Sequence, residues 1–148
     1  MEIYQATSKD LEGVSQLFNK YRIFYKQISD LEGAKTFIKS RLENEDSVIF
    51  VAKISDEDVG FTQLYPTFSS ISMKSAWILN DMFVDAKARN QGVGEKLLQK
   101  AQDFARETDA KSITLETTPD NEGAQRLYER NGYKKDEEFY HYYLELKE

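Results

Sequence analysis

Six residues, Arg-Asn-Gln-Gly-Val-Gly at positions 89–94, separate a strand-like run at 76–84 from a strongly amphipathic segment. Apolar residues of that segment recur every three or four positions, as one face of a helix requires. A glycine turn that leads into a helix presents unpaired backbone N–H groups at the positive end of the helix dipole. The pattern predicts a phosphate site, where Gly92 and Gly94 leave the backbone open to the anion.

Three kinds of phosphate loop have to be distinguished here. A P-loop needs Gly-x-x-x-x-Gly-Lys followed by Ser or Thr, and these residues do not fit it. A dinucleotide-binding turn needs a third glycine where this chain has Leu97, and it is tighter than the charged stretch 85–91. Because Glu116 stands near the distance expected of a ribose-binding acid, the dinucleotide alternative remains open at this point.

The third kind of phosphate loop is indicated by a resemblance to a known family. Arg89, Gly92 and Gly94 match the Arg-x-x-Gly-x-Gly acyl-CoA pyrophosphate loop of the GCN5-related N-acetyltransferases (GNAT). A second stretch resembles the second signature of that family, with its residues in the family's order: Asn121, Ala124, Leu127-Tyr128, Arg130 and Gly132-Tyr133. The resemblance is close over residues 76–146, whereas the first half of the chain shares only the order of elements.

Periodicity and turn residues predict an α/β fold with a mixed sheet and helices on both faces. Strands are predicted at 2–6, 48–54, 59–65, 76–84, 112–118 and 139–146, with Pro66 and Pro119 as stops, and helices follow residues 8, 30, 92 and 121. The order β-α-α-β-β-β-α-β-α-β-β is also that of the GNAT acyl-CoA N-acyltransferase fold. By resemblance, two central strands of the sheet should splay apart.

Composition sets further limits on function. A length of 148 residues suits one domain, 1–148. The chain has no cysteine and one histidine, which excludes a thiolate nucleophile and argues against a metal site. A net charge of -6 argues against nucleic acid as a partner. No apolar run is long enough for a membrane span and the N-terminus is no signal peptide, so we expect a cytoplasmic protein.

The resemblance implies acetyl-CoA as co-substrate, with no metal. The strand before the phosphate loop would pair with the pantetheine arm through the backbone of Met82, Phe83 and Val84. The pyrophosphate would be held by backbone N–H groups of Gln91, Gly92, Val93, Gly94 and Glu95. Further cofactor-binding residues implied by the two signatures are Arg89, Asn121 and Arg130.

Acetyl transfer to an amine needs a deprotonated amine, a polarised carbonyl and a stabilised thiolate, but no covalent intermediate. The resemblance makes Tyr128 the general acid, since a phenol is protonated at neutral pH. The stretch 65–84 resembles polyamine acetyltransferases, but Asn80 replaces the glutamate that would activate the amine. Asp81 and Glu116, at neighbouring strand ends, are therefore the candidate acids for binding and deprotonating the acceptor.

The predicted function is acetyl transfer from acetyl-CoA to a primary amine of a small cationic, polyamine-like metabolite. Two alternatives stay open: a protein N-terminal or lysine acetyltransferase, and a non-catalytic acyl-CoA-binding regulator. Aromatic residues in the first half, among them Tyr21, Phe24, Tyr25 and Tyr65, could wall the acceptor pocket. Resemblance and the aromatic stretch 139–144 together predict a homodimer.

Overall fold

The structure, a computed structural model, describes residues 1–147 and divides the chain into two compact units, Met1–Glu116 and Thr117–Glu148. The helices of the first unit are α1 Leu11–Phe24, α2 Leu31–Asn44 and α3 Val93–Glu107. Its strands are β1 Glu2–Gln5, β2 Val48–Ile54, β3 Glu57–Ser69, β4 Lys74–Val84 and β5 Ile113–Thr114. The second unit contains α4, Glu122–Arg130. Within residues 1–147, no helix is both long and apolar enough to cross a membrane.

The five strands form one mixed sheet in the order β1-β2-β3-β4-β5, in which only β4 and β5 run parallel. One face packs against α1 and α2 through a core cluster that includes Val14, Ile38 and Phe61. The other face carries α3, whose Val93 and four further apolar residues are buried. The predicted mixed sheet with helices on both faces is therefore confirmed.

The helix starts have the local chemistry that the sequence indicates. Thr7 and Asp10 form a capping box on the short 3₁₀ turn that leads into α1. Asp30 caps α2 by accepting a hydrogen bond from the Gly33 N–H at 2.9 Å. These caps satisfy amide groups that a helix cannot satisfy internally.

A β-bulge interrupts the pairing of β3 with β4. Gln63 pairs with Asp81 and Leu64 pairs with Leu79, so that Asn80 has no partner in β3. Side chains alternate along a strand, and the extra residue places Leu79 and Asp81 on opposite faces of the sheet. Asp81 consequently lies on the face that α1 and α2 cover.

The β4–β5 pairing is very short. Trp77 pairs with Ile113 and Ile78 with Thr114, and within Met1–Glu116 no strand pairs with this side of β4 beyond Ile78. Within Met1–Glu116, the part of β4 from Leu79 to Val84 therefore has no strand partner on this side, and the expected splay of two central strands stays a prediction.

Three strand predictions differ from the structure. The strand expected at 112–118 is regular only at Ile113–Thr114, where it pairs with Trp77 and Ile78 of β4, and Glu116 lies outside it. Pro66 does not end β3, because β2 pairs with β3 only as far as Leu64, and proline is tolerated where a strand has one neighbour.

The third difference concerns the two strands expected after α4. Residues 134–147 form no regular strand. Near the start of this segment, the Asp136 carboxylate accepts the backbone N–H groups of Glu138 and Phe139, a local turn that competes with strand pairing. The segment's large apolar side chains are highly exposed, with Tyr140 at 92% and Tyr142 at 94%.

Candidate active site

The phosphate loop has the backbone geometry of an anion site. Asn90 and Gly92 have positive φ angles of 65° and 78°. Gly92 is the N-cap of α3 without a side-chain cap, and the first helical bond runs from the Lys96 N–H to the Gly92 carbonyl at 3.1 Å. The helix's own carbonyls therefore do not use the amides of Val93 and Gly94. A Cβ at Gly92 would meet no atom within 4 Å, so the loop has open space above it.

A glycine that the sequence interpretation missed sets the position of α3. A Cβ at Gly60 in β3 would lie 3.0 Å from the Phe83 carbonyl oxygen, 3.1 Å from Val93 Cγ1 and 3.3 Å from Leu97 Cδ1. Only glycine allows the first turn of α3 to approach the sheet this closely. An isolated glycine inside an apolar strand is the signal that could have identified it.

Arg89 has internal partners in the loop. Its Nε donates to the Val84 carbonyl oxygen at 3.1 Å, and its guanidinium lies 5.8 Å from the centroid of the Phe24 ring. These contacts connect the loop to the end of β4. The Gln91 side chain is exposed, and the group that this residue can offer to a ligand of the loop is its backbone amide.

Asp81 is the centre of a buried polar cluster. Asp81 is only 5% exposed, and its Oδ2 accepts a 2.7 Å hydrogen bond from Gln63 Nε2. Oδ1 accepts a bond from Asn80 Nδ2 at 3.1 Å, and the Ser47 hydroxyl donates to Gln63 Oε1 at 2.8 Å. Within the described residues the carboxylate forms hydrogen bonds to neutral amides but no ion pair. The sequence interpretation missed Gln63, which contacts Asp81, and Ser47, which contacts Gln63, because these residues are far apart along the chain.

The pKa of Tyr65 is influenced by the same cluster. Burial, and then the negative charge of Asp81, raise the pKa of Tyr65 to about 12. Its hydroxyl is therefore protonated across the physiological pH range and can donate a hydrogen bond but cannot serve as a base.

Part of the predicted aromatic wall comes together beside Asp81. Tyr21 packs edge-on against Tyr25 and Phe83, with ring centroids 5.1 and 6.3 Å apart, and its hydroxyl lies 3.5 Å from the Asn80 carbonyl oxygen. Tyr25 packs in turn against Phe24, and both are about half exposed. The C-terminal end of α1 thus carries aromatic rings next to the β4 bulge.

Glu116 is not part of this cluster. It is exposed, follows the last paired residue of β5 and supplies none of the hydrogen bonds to Asp81. The expectation that both acids belong to neighbouring strand ends is wrong for Glu116, because the strand stops at Thr114. Within residues 1–147, no three His, Asp or Glu side chains are grouped as a metal site would require.

In the second unit, the predicted signature forms α4 and its ends. Asn121 caps the helix by accepting the Ala124 N–H at 3.2 Å. Tyr128, half-buried on α4, lies against Tyr133, with ring centroids 5.9 Å apart. Gly132 follows the helix with φ at 95°, which suits a glycine at a helix end. Arg130, in the last turn, is exposed.

Comparison with known proteins gives a consistent result. The sequence model described as "Acetyltransferase (GNAT) family" matches residues 11–133. A Bacillus subtilis (strain 168) protein, "Uncharacterized N-acetyltransferase YhfO", is 52% identical over 146 residues, which cover 99% of this chain and 98% of the relative. "D-amino-acid N-acetyltransferase HPA3" of Saccharomyces cerevisiae is 29% identical over 136 residues, or 89% and 84% of the two chains.

The fold comparison agrees with the sequence comparison. A crystal structure of a probable acetyltransferase superposes with a TM-score of 0.95 and 45% identity, over 100% of this chain and 99% of the other. The family match spans most of the chain, and the relatives cover nearly all of it. The chain therefore belongs to the GNAT family and is an N-acetyltransferase, a class of enzyme that uses acetyl-CoA as co-substrate.

Proposed function

We propose that this enzyme acetylates a primary amine of a small cationic, polyamine-like metabolite, and that the ammonium group of the acceptor binds Asp81. The observation that carries the proposal is the buried Asp81 carboxylate, which accepts hydrogen bonds from neutral amides and forms no ion pair in the described residues. A buried charge is normally paired, and a cationic substrate would supply the missing partner. Asn80, whose side-chain amide donates to this carboxylate, is exposed.

Acetyl-CoA binding is proposed at two places in the first unit. Backbone N–H groups of residues 91–95 would hold the pyrophosphate, supported by the uncapped start of α3 and the open space at Gly92. The open edge of β4 at residues 82–84 would pair with the pantetheine arm. Arg89 would support the loop through its bond to Val84. Asn121 and Arg130 remain candidate cofactor-binding residues by their match to the second signature.

The chemistry is direct transfer. The ammonium group of the acceptor gives up a proton through water to the Asp81 carboxylate, and the neutral amine nitrogen then forms a bond to the thioester carbonyl carbon as the carbon–sulfur bond breaks. The leaving thiolate takes a proton from the Tyr128 hydroxyl, and the acylated nitrogen gives up its second proton, which restores the phenol and leaves the neutral amide. Burial of Asp81 and exposure of Glu116 favour Asp81 over Glu116 as the acid that contacts the acceptor.

Two other classes of acceptor, and a non-catalytic alternative, are compared with the polyamine-like acceptor. The yeast relative is named as a D-amino-acid N-acetyltransferase, and its identity over most of this chain makes an amino-acid amine the second candidate. A peptide amine is the acceptor of the protein-acetylating alternative, while the non-catalytic alternative requires acetyl-CoA binding without turnover of any amine.

The test is a panel of spermidine, D-alanine and a peptide with a free α-amine, assayed with acetyl-CoA by thiol release. We expect the highest kcat/KM for spermidine, and a KM for spermidine at least about tenfold higher in Asp81→Asn, because a charged partner is lost. Asp58→Asn is the matched control, since it removes another largely buried carboxylate elsewhere on β3. Equal use of spermidine by Asp81→Asn and the parent would overturn the assignment.

We also propose that residues 1–148 act as one acetyltransferase domain that works in the cytoplasm as a homodimer. The family match spans parts of both units, which supports a single functional domain. The exposed aromatic segment at 139–144 supports self-association.

A further inference from the structure

A row of three polar side chains crosses the buried interior between β2, β3 and β4. The Ser47 hydroxyl donates to Gln63, and Gln63 donates to Asp81, with distances of 2.8 and 2.7 Å. Gln63 is fully buried and Asp81 nearly so. A buried amide between strands that otherwise supply apolar side chains needs an explanation, since unmatched polar groups there are costly.

The hydrogen bonds of this row all donate in one direction, from Ser47 through Gln63 to Asp81. The Ser47 hydroxyl can donate to the Gln63 carbonyl oxygen, and the ionised carboxylate of Asp81 can only accept. The carboxylate therefore requires the Gln63 amide nitrogen to lie towards Asp81, and the Ser47 hydroxyl, which can donate or accept, donates to the carbonyl oxygen that then faces it. On the other side, the Asn80 amide nitrogen donates to the second carboxylate oxygen at 3.1 Å. The carboxylate plane is thus fixed from two directions.

We infer that Gln63 is a positioning residue, which holds the Asp81 carboxylate for the ammonium group of the acceptor and leaves its charge uncompensated. The inference rests on the proposed function. A carboxylate has about four lone-pair positions, and Gln63 and Asn80 use two of them. The remaining positions can accept bonds from an ammonium group.

The residue type at position 63 matters for selectivity. Lysine or arginine at this place would also orient the carboxylate, but it would neutralise the charge and compete with a cationic acceptor. A neutral amide orients the carboxylate while the site keeps a full negative charge. Gln63 is therefore a determinant of preference for cationic acceptors, acting through Asp81.

The primary test replaces Gln63 with methionine, which has a similar shape and no N–H donor. We expect the KM for spermidine to rise about tenfold, as for loss of one hydrogen bond to a charged group, while the KM for acetyl-CoA stays within about twofold. Where turnover of spermidine is too slow to measure, calorimetric titration with spermidine replaces the KM. Ser47→Ala removes the hydrogen bond that holds the Gln63 carbonyl oxygen and should give a smaller change in the same direction.

Thr62→Val is the matched control. Thr62 is equally buried, stands next to Gln63 and donates to the Asp81 backbone carbonyl at 2.8 Å, but it does not touch the carboxylate. Thr62→Val loses one buried hydrogen bond, and Gln63→Met loses its bond to Asp81 together with the bond from Ser47, so both variants should unfold at a lower temperature than the parent. Only Gln63→Met should change the KM for spermidine.

A double-variant cycle separates positioning from general destabilisation. In an Asp81→Asn background the carboxylate is gone, so Gln63→Met should have almost no further effect on the KM for spermidine. If Gln63→Met behaves like Thr62→Val, or adds its full effect to Asp81→Asn, the positioning role is refuted while the acceptor site at Asp81 can stand. If Asp81→Asn leaves the use of spermidine unchanged, or the parent neither acetylates nor binds spermidine, both proposals fail. Should Gln63→Met not fold, Ser47→Ala in the same cycle decides between these outcomes.

Discussion

Substitution of Gly60 by alanine should disturb acetyl-CoA binding from a position below the loop. The new Cβ would face the Phe83 carbonyl oxygen at 3.0 Å and the Val93 and Leu97 side chains at 3.1 and 3.3 Å. Ordinary van der Waals contacts are 3.4–4 Å, and the backbone oxygen belongs to a central strand. The first turn of α3 is therefore expected to move outward by a few tenths of an ångström.

The magnitude follows from two opposing effects. Overpacking of a well-packed interior costs about 1–3 kcal/mol. Alanine also restricts the unfolded chain more than glycine does, which returns about 0.4–1 kcal/mol. The free energy of unfolding should fall by roughly 0–2.6 kcal/mol, which lowers Tm by up to about 8 °C for a chain of this size. Displacement of the N–H groups at the start of α3 should weaken acetyl-CoA binding about three- to tenfold.

Thermal unfolding and calorimetric titration with acetyl-CoA measure the two effects separately. Gly123→Ala is the matched control, because a Cβ there meets no atom within 4 Å and the residue lies inside α4. That variant should be about 0.5–1 kcal/mol more stable than the parent. If Gly60→Ala is stabilised like Gly123→Ala and binds acetyl-CoA normally, then close approach does not position α3.

Four further outcomes are expected. Tyr128→Phe should lower kcat about 100-fold or more in the thiol-release assay and change acetyl-CoA affinity little; near-normal turnover would assign Tyr128 a structural role. Gly94→Val should weaken acetyl-CoA binding in calorimetry while circular dichroism stays unchanged, and unaltered affinity would argue against the phosphate loop. Lys20 lowers the pKa of Asp85 below its ordinary 3.8 through a 2.7 Å ion pair, so Lys20→Ala should lower the free energy of unfolding by about 0.5 kcal/mol at neutral pH. This difference should vanish as acid protonates Asp85 below pH 3.8, and a difference in denaturant unfolding that does not depend on pH would contradict the prediction. Light scattering at micromolar concentration should give the mass of a dimer, whereas a monomer would leave the exposed segment 139–144 without its proposed partner.

Local patterns in the sequence were sufficient for the phosphate loop and for the helix that follows it. The predicted helix begins at Val93, and Gly92 takes the positive φ angle that glycine adopts readily. Asn121 similarly caps α4 within its own turn. These features depend on hydrogen bonds and backbone preferences within a few residues, and the sequence order contains that information directly.

Strand length and strand end were less predictable. The stretch 112–118 alternates like a strand, yet only Ile113–Thr114 pairs with β4. The aromatic pattern at 139–146 is also strand-like, and it forms no ladder in the described residues. A strand exists only when a second strand accepts its hydrogen bonds, and that partner is distant in sequence.

The surroundings of Asp81 were decided by the tertiary structure alone. Nothing in the residues near position 81 indicates that Gln63 bonds to Asp81 or that Ser47 bonds to Gln63, since the first bond spans 18 residues and the second spans 16. The bulge at Asn80 determines the face on which Asp81 lies, because one unpaired residue reverses the alternation of side chains. Sequence supplied the carboxylate and the anion-binding turn; register, bulge and burial decided which groups surround the carboxylate, because those depend on pairing between strands.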